Sequence, residues 1–195
     1  RRKGIGTDSR IGSKFLYSGC GYGGSCFPKD VKALIHTAAK FGYDMRVLNS
    51  VEEVNEKQKN ILFEKFKNYY KGDLKGRKVA VWGLAFKPET DDMREAPALV
   101  LIKSLLNEGC FISVYDPVAM EECKRRIGDV VTYSQNMYDA VIEADAIFHV
   151  TEWKEFRMPS WGVIKKAMKD DPVLIDGRNV FSAADLEGIT YLKIG

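Results

Sequence analysis

The sequence predicts an α/β protein in which a helical segment with a long connecting helix precedes a doubly wound parallel sheet. Three observations carry that prediction. Beyond residue 77 six short apolar runs alternate with helical windows, before it a long stretch repeats apolar residues at spacings of three and four, and the composition can fill a core. Of the 195 residues 45% are apolar, and 30 Lys and Arg nearly balance 27 Asp and Glu for a formal charge of +3. Disorder needs low hydrophobicity and high net charge, so it is excluded. No apolar run approaches the roughly 18 residues of a membrane span. The start Arg1-Arg2-Lys3, followed by Gly4 to Arg10, is not a signal core. The expectation is a cytoplasmic protein with no membrane partner and, lacking a basic face, no nucleic acid.

Taken in order, Arg1 to Ser9 shows no periodicity and the first residue is not Met, so the chain reads as a fragment beginning inside a larger protein. Arg10 to Asp30 is a glycine-rich, aromatic-dotted loop. From Val31 the residues Leu34, Ile35, Ala38 and Ala39 share a helical face until Gly42 ends it. Leu48, Val51, Val54, Asn55, Gln58, Ile61, Leu62 and Phe66 then predict one helix over Asp44 to Tyr70, roughly 40 Å long at about 1.5 Å per residue. With a polar middle at Asn55 and Gln58, its stripe either packs on its own chain or pairs with its twin in a homodimer. Lys71 to Gly76 is a linker, dividing the chain into residues 1–76 and 77–195.

In the second part strands are predicted at Val79–Leu84, Phe111–Tyr115, Val130–Tyr133, Ala146–Val150, Val173–Ile175 and Tyr191–Ile194. Helices are predicted at Ala98–Asn107, Ala119–Arg126, Met137–Glu143 and Gly162–Met168. That alternation implies a parallel sheet covered on both faces, with ligands at the carboxyl ends of its strands.

Gly19, Gly21 and Gly24 formally satisfy GxGxxG, but little strand precedes them, Pro28 intervenes before the helix and no βαβ unit follows. They are read either as a tight loop or as a backbone surface that a ligand must approach closely. Ser25-Cys26-Phe27-Pro28-Lys29-Asp30 places a thiol at a helix start beside an ammonium, a setting that favours the reactive thiolate. Asp30 could take a proton from water attacking a thioester formed there. Cys110 and Cys123 read as buried apolar residues, and the four cysteines form neither a disulfide framework nor a zinc pattern. Thr90-Asp91-Asp92 reads as a loop or as ion-pair partners for Arg94, not as a metal site. His36 and His149 stand alone and read as ordinary packed or surface histidines.

In RIGSKFLYSGCGYGGSCFPKD (Arg10 to Asp30), GLAFKPETDDMRE (Gly83 to Glu95) and DGRNVF (Asp176 to Phe181), the chain resembles the UDP-glucose/GDP-mannose dehydrogenases, in particular the members that oxidise UDP-glucose. The resemblance covers essentially the whole chain. It implies a central dimerisation segment and a Rossmann-like UDP-binding domain, but not the amino-terminal NAD-binding domain. It further implies oxidation of UDP-glucose to UDP-glucuronate in two NAD-dependent steps, with Cys26 carrying a thiohemiacetal and then a thioester and Asp30 positioning the water. Lys29 and Arg94 would contact NAD, Phe86 and Lys87 would hold the nucleotide sugar, and Arg178 would reach its phosphates or sugar. Phe15, Leu16, Tyr17, Ser18, Gly19, Gly21 and Gly23 would line the sugar, and Arg10 would reach the neighbouring subunit's substrate. Two alternatives stay open: a non-catalytic binding and dimerisation module, or the same chemistry on GDP-mannose or an N-acetylated UDP-sugar. Asp116 ends the second strand, where a dinucleotide domain carries its ribose acid, yet Leu84-Ala85-Phe86 puts bulk where a pyrophosphate needs backbone. The second domain is therefore expected to bind UDP and not NAD.

Overall fold

The computed structural model describes residues 2–12, 16 and 18–194. All six expected strands form, as β1 (Lys78–Trp82), β2 (Phe111–Tyr115), β3 (Thr132–Tyr133), β4 (Ala146–His149), β5 (Val173–Asp176) and β6 (Thr190–Lys193). They make one wholly parallel sheet in the order β3-β2-β1-β4-β5-β6. The order reverses between β1 and β4, and at such a switch point the loops leaving the two strands diverge and open a crevice.

Eight α-helices are described: α1 (Arg2–Gly6), α2 (Phe27–Lys40), α3 (Arg46–Lys59), α4 (Ile61–Tyr69), α5 (Pro97–Asn107), α6 (Met120–Ile127), α7 (Met137–Ala140) and α8 (Trp161–Ala167). The short α1 lies where no periodicity is legible. The connecting helix expected over 44–70 is present as two segments. At Asn60 the backbone N–H turns to Lys57 O (3.1 Å) and the side-chain amide donates to Glu56 O (2.8 Å), which interrupts the regular ladder.

The central strands β1, β4 and β5 are buried on both faces, which is why they read as continuous apolar runs. Val79, Val81, Phe148 and Ile175 meet α4, α5 and α6, while Ala80, Trp82, Ile147 and Leu174 meet α7, α8 and Phe156. On the first face α4 buries Leu62, Phe63 and Phe66 in the sheet's own core, with the Phe66 and Phe148 rings edge to face at 5.2 Å. Residues ahead of the linker thus complete the sheet's packing. Phe66→Ala should cost about 3–5 kcal/mol, and urea unfolding followed by circular dichroism should still show one transition. Separate transitions for helix and sheet would show that α4 is not part of that core.

Candidate active site

The glycine loop is held from both sides. From α3, Gln58 Nε2 donates to Gly19 O (2.8 Å), and Asn55 receives Tyr22 N–H (2.8 Å) and returns a bond to Tyr22 O (3.3 Å). The polar middle of the helix therefore bonds loop backbone within the chain. From the sheet side Gly24 N–H donates to Arg94 O (2.7 Å), and Cys20 is buried beneath the loop near Val150 O. A Cβ on Gly23 would lie 2.5 Å from Glu95 O, and one on Gly24, whose φ is +96°, 2.8 Å from the Phe86 ring. One on Gly19 would run into the Arg178 guanidinium. The loop is tight, and the backbone of Gly19, Gly21 and Gly23 lines the cleft described below.

Two buried carboxylates organise the sheet edge. Asp116, at the end of β2, accepts from Leu84 N (2.7 Å), Ala85 N (3.2 Å), Trp153 Nε1 (3.0 Å), Val118 N (2.9 Å) and Ala119 N (2.8 Å). It shapes the turn that carries Phe86. Asp176, at the end of β5, accepts the amides of Arg178 and Asn179 (2.9 and 3.0 Å) and so shapes the turn that carries Arg178. The Arg178 side chain pairs with Glu152 of the loop after β4, and Asn179 Nδ2 donates to Ser18 Oγ (2.8 Å).

Between the glycine loop, α3 and these turns opens a cleft of about 840 Å³. Of the residues expected from sequence, Gly19, Gly21, Gly23, Phe86 and Arg178 line it, joined by Tyr22 and by the Val47, Val51 and Val54 stripe of α3. The lining is largely apolar, with Arg46 and Arg178 as its cations, the arrangement that suits a ring or sugar attached to an anionic group. Lys87 is exposed and its ammonium lies 5.3 Å from the Phe86 ring centre. Leu16 is half-buried and Ser18 exposed, while Phe15 and Tyr17 lie outside the described residues. Arg10 is exposed and paired with Asp8 (2.6 Å).

Cys26 is exposed at the N-cap of α2, outside that cleft, with Pro28 in the helix's first turn. Its sulfur lies 3.5 Å from Ser25 Oγ. Lys29 and Asp30 pair with each other (3.3 Å), and Asp30 N–H closes the first turn on Cys26 O (2.9 Å). Arg94 is exposed and gripped by Asp92 through Nε (3.0 Å) and Nη2 (2.9 Å). These bonds to Asp92 come first among the influences that raise the Arg94 pKa, and the nearby Cys26 adds to them.

Glu95 and Glu152 are site residues that the sequence does not announce. Glu95 joins Lys32 of α2 (2.8 Å) to the buried Lys59 of α3 (3.1 Å), tying both helices to the turn after β1. No spacing announces such a bridge, because its partners lie 36 and 63 residues away. The role of Asp176 was within reach, since it ends a strand directly before Gly177-Arg178. A dinucleotide held in the usual manner needs a glycine turn after β1 and an available acid after β2. Here Leu84 and Ala85 are buried in that turn and Asp116 is fully engaged, so the sheet does not fit NAD.

Residues 80–183 match the UDP binding domain of the UDP-glucose/GDP-mannose dehydrogenase family, and residues 2–57 match its central domain. A UDP-glucose 6-dehydrogenase of Pseudomonas aeruginosa is 48% identical over 100% of this chain and 44% of its own. The structure of a UDP-glucose dehydrogenase from the archaeon Pyrobaculum islandicum superposes with a TM-score of 0.84 at 32% identity, over 98% of this chain and 42% of that one. An NDP-N-acetyl-D-galactosaminuronic acid dehydrogenase from Methanosarcina mazei Go1 gives 0.81 at 26%, over 100% and 42%. The chain thus spans less than half the length of the curated relatives it matches.

Burial pushes the Cys20, Cys110 and Cys123 thiols up to about 11, whereas Cys26 is exposed. A higher pKa leaves less thiolate, so iodoacetamide at neutral pH should label Cys26 first in the folded chain, and all four thiols in urea. Equal rates in the folded chain, read by peptide mass spectrometry, would contradict this arrangement.

Proposed function

Because the chain belongs to the UDP-glucose/GDP-mannose dehydrogenase family, we propose that it supplies the nucleotide-sugar site and the nucleophile of a UDP-glucose 6-dehydrogenase. One observation carries the reading: a cleft walled by glycine backbone, Phe86 and Arg178, with an exposed thiol two residues beyond that loop. The Arg178 guanidinium, as a planar donor fork, takes the diphosphate or the sugar. Phe86 and Lys87 hold the nucleotide sugar, and Leu16, Ser18, Gly19, Gly21 and Gly23, with Phe15 and Tyr17, line the sugar. The substrate is UDP-glucose, by the 48% relative. GDP-mannose or an N-acetylated UDP-sugar would use the same chemistry.

In the proposed reaction the sugar's primary alcohol becomes a carboxylate, a four-electron oxidation that uses two NAD⁺ and yields two NADH. When bound, NAD would supply hydride acceptance, and the exposed Lys29 and Arg94 near the thiol are the cations of this chain that would hold its pyrophosphate. The residues of the chain act at the carbon. Cys26 sulfur adds to the aldehyde and gives a thiohemiacetal, and that adduct, once oxidised, is a thioester. Water attacks the thioester carbonyl, Asp30 takes its proton, and the departing thiolate regenerates Cys26. A negative charge at Asp30 needs release from Lys29 for that role, and their separation of 3.3 Å in an exposed setting makes it inexpensive. Assembly belongs to the same reading. The exposed Val47 and Val54, with the partly exposed Val51, give α3 an apolar stripe for a homodimer, in which Arg10 serves the neighbouring subunit's site.

Calorimetry tests the binding claim. UDP should bind this chain and NAD⁺ bind less tightly, and Arg178→Ala should weaken UDP by about 10–100-fold, the scale of a lost charge-assisted hydrogen bond. NAD⁺ binding tighter than UDP, or an indifferent Arg178→Ala, would sink the reading. In a form of the protein competent for turnover, Cys26→Ser should abolish NADH formation and leave UDP-glucose binding intact. Wild-type rates in that variant would leave the binding-module alternative standing. Light scattering at micromolar concentration should give a dimer, and a clean monomer would remove the cross-subunit role of Arg10.

A further inference from the structure

His149 is the last residue of β4 and faces Asp176 across the parallel register. Both side chains are fully buried, with His149 Nδ1 at 3.0 Å from Asp176 Oδ1. Oδ1 also accepts Arg178 N (2.9 Å) and Asn179 N (3.0 Å), while Oδ2 accepts Val180 N (2.9 Å), Phe181 N (3.3 Å) and the Tyr191 hydroxyl (2.8 Å). Each oxygen thus receives two amides of the following turn and one side-chain donor from a flanking strand, His149 from β4 and Tyr191 from β6. Amides alone cannot set the plane of the carboxylate, because they belong to the turn it must organise. The two lateral donors come from rigid strands and do set it.

We infer that His149 is a positioning residue for the nucleotide-sugar site: its Nδ1–H orients the Asp176 carboxylate, which captures the amides of residues 178–181 and so places the Arg178 guanidinium over Gly19. Burial alone would raise the Asp176 carboxyl, but the His149 hydrogen bond, foremost among the opposing influences, helps hold it down to about 2. The acceptor is therefore ionised at neutral pH. The captured turn is not one the backbone adopts freely, since Asn179 sits at φ +54° and Arg178 lies against a glycine with no Cβ to give way. Slack in the carboxylate would pass directly to the guanidinium.

The competing reading is that His149 merely fills space between Phe156 and Phe181, whose ring centres lie 5.9 and 4.9 Å away. Two variants of the whole chain separate the readings. His149→Asn keeps an N–H donor where Nδ1 stands but loses ring volume, whereas His149→Leu fills more apolar space and donates nothing. Hydrogen exchange reads the turn directly. In His149→Leu the amides of 178–181 should exchange about tenfold faster or more, as expected for a lost bond to a charged acceptor, with Val173–Ile175 unchanged. His149→Asn should restore most of the protection. Unchanged exchange in His149→Leu, or a larger loss in His149→Asn than in His149→Leu, would overturn the inference. Should His149→Leu fail to fold, Tyr191→Phe removes the mirror donor at a half-buried position and should loosen Val180 and Phe181 more than Arg178 and Asn179, uniform loosening counting against it. The link to substrate rests on the proposed function, and UDP titration of the same variants keeps the two apart. A several-fold affinity loss in step with exchange supports both. Faster exchange with unchanged UDP binding supports the positioning of the turn and overturns the assignment of Arg178 to the diphosphate.

Discussion

The arrangement depends on a steric fact: where the loop passes between α3 and the sheet's carboxyl edge at Gly19, Gly23 and Gly24, there is room for a backbone and for no Cβ. Gly19, Gly23 and Gly24 lie against Arg178, the Glu95 carbonyl and Phe86, and of these the carbonyl cannot move aside. Because the loop is that thin, α3 and the sheet approach closely enough for Asn55 and Gln58 to bond its backbone on one side while Arg94 O receives Gly24 N–H on the other. Three pieces distant in sequence become one wall. The thiol two residues beyond Gly24 is placed as a consequence, since α2 starts where the loop leaves this clamp.

The second constraint is electrostatic. A carboxylate removed from water needs donors for both oxygens, and each of the two acids that end β2 and β5 recruits them from the backbone of the loops it faces. Asp116 thereby fixes the turn of Phe86 and anchors the Trp153 indole, and Asp176 fixes the turn of Arg178. The same residue position that binds a ribose in a dinucleotide domain is here turned inward to build a loop. A doubly wound sheet can thus keep its topology and its switch-point crevice yet present a cation and an aromatic ring where a cofactor domain presents glycine backbone.

Much of the fold was legible because its signals are local. Every strand and the four helices that alternate with them follow from apolar runs and turn residues, and Pro97 and Gly128 sit at helix ends where backbone chemistry favours them. The interruption at Asn60 was not legible, because an Asn side chain bonds its own helix only when the neighbours leave it free to do so. The short helix Arg2–Gly6 carries no periodicity from which to read it.

For the site, the residue types on offer are plain from the chain: a thiol before a helix-starting proline, a run of small residues, an arginine after a strand. That much follows from chemistry within a few residues. Which of them meet depends on the folded arrangement. It brought Gly19, Phe86 and Arg178 to one cleft, left Lys29 and Asp30 paired with each other at the surface, turned Asn55 and Gln58 toward the loop, and made His149 a partner of Asp176. Such pairings join residues tens of positions apart through close approach and burial, and neither is a property of any short stretch of chain.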